Sequence, residues 1–333
     1  MTAPIIAFFN NKGGVGKTSL VYHLAWMFSD LGVRVLTADL DPQANLTAAF
    51  LDEETVESLW NARGTIFWGV DPLIKRTGGP KLVGTWELSP TLHLIVGDLR
   101  LGEFEDLLAT GWGECRGGQP GGFVVTTAFW WILTVAARQT GAEIVLLDLG
   151  PNIGAINRSA LIAADYLVVP LAPDLFSLQG MKNLGPTVTR WKDEWRKTVE
   201  FSQAPSDIPA GKIEPIGYVV QQHSVRLDRP VRAYEKWIER IPEEFRRSVL
   251  GATLIPSDLK SIGEDSWCLA LLKHYHSLMP MAQEARKPMF HLKVADGAIG
   301  AHFQAVQEAR RQFQQLAVKI AERTGVPLAQ LSA

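Results

Sequence analysis

Residues 4–19, PIIAFFNNKGGVGKTS, constrain what this chain can fold into more than any other stretch. Residues 5–9 are a short apolar run that stops at Asn10-Asn11, the profile of a buried strand. Gly13, Gly14 and Gly16 then allow a tight turn whose backbone N–H groups point inward. Residues 18–31 carry apolar side chains at helical spacing: Leu20, Leu24, Met27, Phe28 and Leu31. A glycine loop that opens onto a helix N-terminus favours anions, through free amides and the positive end of the helix dipole. Lys17 is placed to reach β- and γ-phosphates, and the Thr18 hydroxyl to ligate Mg²⁺. The general phosphate-loop spacing asks for glycine where Asn11 stands, while Lys12 before the paired glycines makes the segment more distinctive. A glycine-rich turn with an incidental lysine is the plainer alternative. Strand before and helix after argue against it.

The segment KGGVGKT resembles the deviant Walker A motif of the ParA/MinD family of ATPases, whose signature is the extra lysine, here Lys12. Residues 33–47, VRVLTADLDPQANLT, resemble that family's second strand and switch segment. Residues 144–185 resemble its Walker B strand and the segment after it, so the likeness covers about the first 185 residues. It implies an α/β fold, a doubly wound and mostly parallel sheet with helices on both faces. It also implies a Mg²⁺-dependent ATPase that dimerises with ATP and binds DNA non-specifically to segregate or position a cargo, reset by hydrolysis. By the same resemblance Asn11, Lys12, Gly13, Gly14, Val15, Gly16, Lys17, Thr18 and Ser19 bind the nucleotide. Catalytic roles fall to Lys12, Lys17 and Asp41: Lys12 crosses to the partner subunit's phosphates, and Asp41 orients the attacking water. Thr18, Asp39 and Asp148 support the metal, Asp174 and Gly180 lie beside the nucleotide, and Gln221, Gln222 and Pro256 lie where relatives touch adenine. Phosphoryl transfer needs a placed nucleophile and neutralised phosphates rather than covalent chemistry, which agrees with this set. Taken alone, Asp41-Pro42 is also a common strand-end turn.

Composition bounds the reading without choosing it. A chain of 333 residues with 47% hydrophobic and 20% charged residues buries a substantial core. Residues 1–150 hold 10 Lys+Arg against 16 Asp+Glu, and the rest hold 23 against 19. A polyanion-binding surface is therefore expected in the second half. Cys115 and Cys268 are the only cysteines, which excludes a disulfide framework and a Cys-rich zinc site. No run of about 18 apolar residues is present, and the first strand follows Met1 closely, so a cytoplasmic protein without a signal peptide is expected. If DNA is bound, nucleoid association follows.

Further along, Gly32 ends the first helix and residues 33–38 read as a strand, the β-loop-α-β order of a parallel sheet. Residues 55–63 read as a short helix and 92–96 as a strand, while 71–90 and 110–125 read as loops because of Pro72, Pro80, Pro90 and the run GECRGGQPGG. The whole of 1–333 is expected to be one ATPase domain with a long connection at about 52–143. Trp60, Trp68, Trp86, Trp112, Trp130 and Trp131 lie in that connection, as a partner surface or, the favoured reading, as packing under long loops. Helices are expected at 126–140, 153–164 and 175–195, the last broken at Gly185-Pro186, with strands at 143–147, 166–169, 213–220 and 251–255.

Residues 228–241, DRPVRAYEKWIERI, read as a helix with Arg229, Arg232, Lys236 and Arg240 on one stripe. In family members that segregate DNA, basic residues of this half bind it; a solvated face balanced by Asp228, Glu235 and Glu239 is the other reading. Arg246 and Arg247 follow, and Arg190, Lys192, Arg196 and Lys197 cluster earlier. The final helix, 298–323, has an apolar face of Phe303, Val306, Phe313, Leu316 and Ile320. Packing against the sheet explains that face better than a membrane anchor, so no membrane is expected. A homodimer in the ATP state and an activating ParB-like or other partner are the expected associations. With the phosphate-loop strand at its start, the chain is expected to carry no N-terminal helix-turn-helix domain. A membrane-surface ATPase of the MinD type is one alternative. A metabolic enzyme resembling dethiobiotin synthetase or the nitrogenase iron protein is another, though Cys115 and Cys268 do not form the latter's paired cluster ligands.

Overall fold

Five short apolar runs, each closing on a turn and separated by amphipathic helices, assemble as the centre of one sheet. The computed structural model describes residues 2–202, 204–223, 225–226, 229–230, 236–255, 261–275 and 277–328. Its strands are β1 (Ile5–Phe8), β2 (Val35–Asp39), β3 (Trp86–Ser89), β4 (Leu92–Ile95), β5 (Ile144–Asp148), β6 (Tyr166–Leu171), β7 (Glu214–His223), β8 (Val225–Arg226), β9 (Arg229–Pro230) and β10 (Cys268–Lys273). Eight of them form a sheet in the order β10-β7-β6-β1-β5-β2-β4-β3, parallel except for β3 at its edge. β1 lies between β5 and β6, so the chain leaves it in both directions. The crevice beyond its carboxyl end is where ligands enter such sheets.

Helices cover both faces, as a doubly wound sheet requires. On one side α4 (Ile66–Ile74), α5 (Glu105–Arg116), α7 (Ala128–Thr140), α8 (Ala155–Ala163) and α9 (Leu175–Phe201) meet Ile5, Ala7, Leu36 and Val145. On the other, α1 (Lys17–Asp30) and the helices Leu278–Ala285 and Ala301–Thr324 meet Ile6, Phe8, Val35 and Leu146. Alternate residues of each central strand thus feed opposite cores, which is why the strands read as unbroken apolar runs. Val306, Phe313, Leu316 and Ile320 of the helix Ala301–Thr324 are buried there, as expected for packing, while Phe303 is exposed. Among the described residues no single helix is long and apolar enough to cross a membrane.

Four expectations are corrected. Residues 110–125 are not a loop but the end of α5 and α6 (Pro120–Thr126), packed as a hairpin. A Cβ on Gly122 would lie 2.6 Å from the Cys115 amide nitrogen, and one on Gly111 2.9 Å from Val125. The glycines there serve close helix contact rather than turns. Within 71–90, α4 carries Pro72 and β3 pairs with β4. α9 runs unbroken through Pro186 because a turn at Phe245–Val249 packs onto it: a Cβ on Gly185 would fall 1.7 Å from the Ser248 carbonyl oxygen. Burial of Leu184 and Val188 beside that contact offsets a cost of about 3 kcal/mol for proline inside a helix. Residues 251–255 are not a strand, and Leu254 is 89% exposed. The strand beside β7 is β10, whose Leu269 and Leu272 are buried.

Of the six tryptophans in the connection, Trp112 is buried and Trp60, Trp68, Trp130 and Trp131 half-buried; Trp86 faces outward. Trp112 stacks on Trp195 at 5.9 Å between ring centroids. Packing accounts for five of the six.

Candidate nucleotide site

The loop after β1 is shaped from its first residue. The Asn10 side chain accepts a hydrogen bond from the Lys12 amide at 3.0 Å and donates to the Pro170 carbonyl at 2.7 Å, tying the loop to β6. Gly14 (φ 73°) and Gly16 (φ 82°) take the left-handed backbone that other residues resist. Gly16 also leaves space for Gln221, whose Oε1 would lie 2.8 Å from a Cβ placed there. Gly16 precedes α1 without any side-chain cap, and the first turn of α1 carries no acid, so its amides stay open to an anion. A cleft of about 670 Å³ begins at Gly13, Gly14, Lys17 and Thr18 and continues between Tyr22, Ala48 and Arg286.

Three carboxylates converge beside Lys17. In the sheet Asp39 of β2 stands opposite Asp148 of β5, and Phe8 of β1 opposite the same Asp148. Parallel strands about 4.8 Å apart therefore set two acids side by side at the mouth of the loop. Asp39 is engaged: its carboxylate accepts from the Thr47 amide at 2.8 Å and the Asp41 amide at 3.3 Å. Burial pushes its pKa up to about 7, against Thr47, with Asp41 adding to the rise. Asp148 is fully buried and neither oxygen has a hydrogen-bond partner among the described residues. Burial and then Asp39 raise its pKa well above the carboxylate range, opposed by the Thr18 hydroxyl and Lys17. For Lys17, burial lowers the pKa while Asp148 and Asp41 oppose. Its Nζ donates to the Lys12 carbonyl at 3.2 Å.

This set fits a divalent cation. An orphaned buried carboxylate beside a threonine hydroxyl offers the oxygen donors Mg²⁺ takes, the remainder coming from phosphate and water. Among the described residues no three His, Cys, Asp or Glu side chains form a metal cage of their own. Asp39, spent on the backbone of the segment that carries Asp41, is placed as support rather than as a ligand.

The acids give a pH signature. Unfolded aspartate titrates near 3.8, and folded Asp39 near 7, so the folded chain holds more protons within that window. Stability of the ligand-free protein is therefore lost as pH rises through it. We expect a higher melting temperature at pH 5 than at pH 8, with the difference reduced in Asp39→Asn. Equal pH dependence in the two proteins would remove Asp39 as its source.

Lys12 is held within its own subunit. Its ammonium pairs with the Asp174 carboxylate and lies 5.9 Å from the Phe176 ring, which is 70% exposed. Burial raises the Asp174 pKa, but Lys12 and the Ser177 amide outweigh it and hold the acid below its usual range. Gly180 lets α9 approach closely, since a Cβ would lie 2.8 Å from Asn10 Oδ1 and 3.0 Å from Asn11 Oδ1. Asp41 is buried and its Oδ1 accepts from the Gln43 amide at 3.0 Å. Gln221, expected near a base, donates instead to the Val15 carbonyl at 2.8 Å. It braces the loop from behind. Gln222 belongs to β7, but its side chain, like Pro256, lies outside the described residues. Sequence reasoning did not reach Tyr22, Gln283, Arg286 and Lys287, which line the cleft. Only chain folding brings the segment 278–287 there.

The basic stripe of 228–241 is not one helical face. Arg229 sits in β9, paired antiparallel with β8, where a helix was expected. Arg232 lies outside the described residues. Lys236 and Arg240 are exposed, 4.5 and 5.7 Å from the Trp237 ring. Folding instead brings together α9 and the 245–251 turn. Arg190, Lys197 and Arg247 line a groove of about 660 Å³ that also includes Asp193 and Glu194.

Comparison with known proteins places these features in a wider set. The family model described as AAA domain matches residues 3–201. Protein IncC of Escherichia coli is 29% identical over 201 residues, 60% of this chain and 50% of that protein. The chromosome-partitioning ATPase Soj of Thermus thermophilus is 31% identical over 183 residues, 55% of this chain and 60% of Soj. The chain thus spans about half the length of curated relatives such as IncC. A solved structure of a McdA variant from Cyanothece in complex with ATP superposes with a TM-score of 0.63 at 14% identity, covering 98% of both chains. That likeness is one of fold.

Proposed function

Because the chain belongs to the AAA domain family as a ParA/MinD-type P-loop ATPase, we propose that it binds and hydrolyses Mg²⁺–ATP, pairs with a second copy in the ATP state and positions a cargo over DNA. The observation that carries this reading is the juxtaposition of buried Lys17, the open amides after Gly16 and the orphaned Asp148 carboxylate at one loop. The amides of residues 13–18 and the Lys17 ammonium take the β- and γ-phosphates. Thr18 and Asp148 hold Mg²⁺, which when bound neutralises phosphate charge. Asp41, two residues past the end of β2 and beside Gly150, orients the attacking water. Lys12 leaves Asp174 to reach the partner subunit's phosphates, so that the γ-phosphate joins the two subunits and dimerisation reports on bound ATP. The ATP complex of McdA and the partitioning role of Soj support the ligand and the task. A steady-state phosphate-release assay with light scattering in ATP and ADP tests the core of this reading; no ATP-dependent turnover and no change of mass would sink it.

For the DNA surface, the groove of α9 and the 245–251 turn is a better candidate than 228–241, since its cations come from packed elements. Arg190, Lys197 and Arg247 are all exposed on it. Replacing these three with Glu should weaken ATP-state binding to any duplex at least tenfold and flatten the salt dependence by roughly 2–3 in log–log slope, each phosphate contact being worth about 0.9. ATP hydrolysis without DNA should persist. An unchanged salt slope in a filter-binding titration would return this surface to ordinary solvation.

A further inference from the structure

We infer that Glu105, at the start of α5 in the long connection, is a positioning residue that fixes the segment after Asp148 and so governs ATP turnover; the inference rests on the ATPase reading above. The helix α8 lacks a cap of its own: Gly154 precedes it with no side-chain bond, and its first turn has no acid. Glu105, 50 residues away in sequence, supplies both. Its carboxylate accepts from the Ala155 amide and from the Ile156 amide at 2.9 Å. A carboxylate on two free amides at a helix N-terminus is a charge-assisted cap, stronger than a neutral one. Gly154 is shaped for it, because a Cβ there would lie 2.5 Å from Glu105 Oε1.

The cap reaches the reaction centre through short steps. From the first turn of α8, Asn157 donates to the Gly150 carbonyl at 2.9 Å and to Asn152. Gly150 follows Asp148 by two residues and packs on Asp41, whose Oδ1 would be 3.0 Å from a Cβ at that position. Fixing α8 in height and rotation therefore fixes residues 150–152 against Asp41. A second contact reinforces the first: the Arg158 guanidinium of α8 lies 4.5 Å from the Trp112 ring of α5. Trp112 in turn donates to Glu194 of α9. Since α5 and α6 form the glycine-packed hairpin, whatever shifts that hairpin shifts residues 150–152 beside Asp41. Glu105 touches no phosphate-loop residue in these contacts, so nucleotide affinity should not depend on it.

The test uses Glu105→Ala and Glu105→Gln in the full chain, read by turnover, nucleotide titration and amide hydrogen exchange. Expected are a fall in kcat of about tenfold for Glu105→Ala, a smaller fall for Glu105→Gln, which keeps one acceptor, and ATP affinity within twofold. Exchange should accelerate at residues 150–156 and not at 10–18. Undiminished kcat together with faster exchange at 150–156 overturns the proposal. So does parallel loss of affinity and turnover, which marks a merely structural role. If the wild-type chain shows no turnover, the ATPase reading fails by itself, and exchange still decides whether Glu105 holds 150–156: unchanged rates there reject it.

Discussion

Lys17→Ala should abolish measurable ATP binding, with affinity lower by on the order of 100-fold or more, in line with about 1.5–3 kcal/mol for each charge-assisted hydrogen bond removed from the β- and γ-phosphates. The side chain is buried and bonded to the Lys12 carbonyl, so its ammonium is already directed into the loop before a ligand arrives. Burial lowers its pKa, and Asp148 and Asp41 oppose that shift. Removing it leaves an acidic pocket facing a polyanion, and no other described lysine lies among the residues that line the phosphate end of the cleft. The two raised carboxyls can relax by taking up protons, so the variant should fold. Titration with a fluorescent nucleotide analogue at fixed Mg²⁺ is the measurement. Affinity within threefold of the wild type would refute the assignment.

Asp41→Ala should separate binding from turnover. Asp41 accepts its hydrogen bond from the Gln43 amide rather than from a phosphate-loop residue, so ATP affinity should change by no more than about threefold, while hydrolysis falls by roughly 10²–10⁴, the range for removing a positioning or proton-accepting group. The variant then accumulates as an ATP-bound dimer and runs as a monomer in ADP. Adding Lys12→Ala tests the crossing lysine. Its pair with Asp174 is partly exposed, 24% and 35% by side chain, and such pairs contribute only about 0–1 kcal/mol. Release toward a partner's triphosphate is therefore cheap against the charge it meets. The double variant should return to monomer in ATP while retaining nucleotide; an ATP dimer that persists without Lys12 would falsify the trans role.

Legibility followed the range over which each feature is written. The glycine loop, the central strands as segments of the chain and the fold class were readable, because backbone freedom at Gly14 and Gly16 and the apolar runs around them are properties of consecutive residues. The same locality misled at GECRGGQPGG, where glycine serves helix contact, and at Gly185-Pro186, where packing by the 245–249 turn keeps α9 whole. Periodicity also drew one helix through Arg229 where a short strand pair stands.

Residue types and local spacing were enough to settle that this chain builds a glycine loop between a buried strand and a helix on a doubly wound sheet, and which lysines and aspartates flank it. Their working relations came from the fold alone. Sheet register set Asp39 opposite Asp148. A hydrogen bond spanning 206 residues gave Gln221 to the loop backbone rather than to a base. Another, spanning 50, made Glu105 the cap of α8. Local sequence controls dihedrals and periods within a few residues, whereas contacts at these separations depend on how strands align and helices stack, where each side chain's partner is chosen by the whole core.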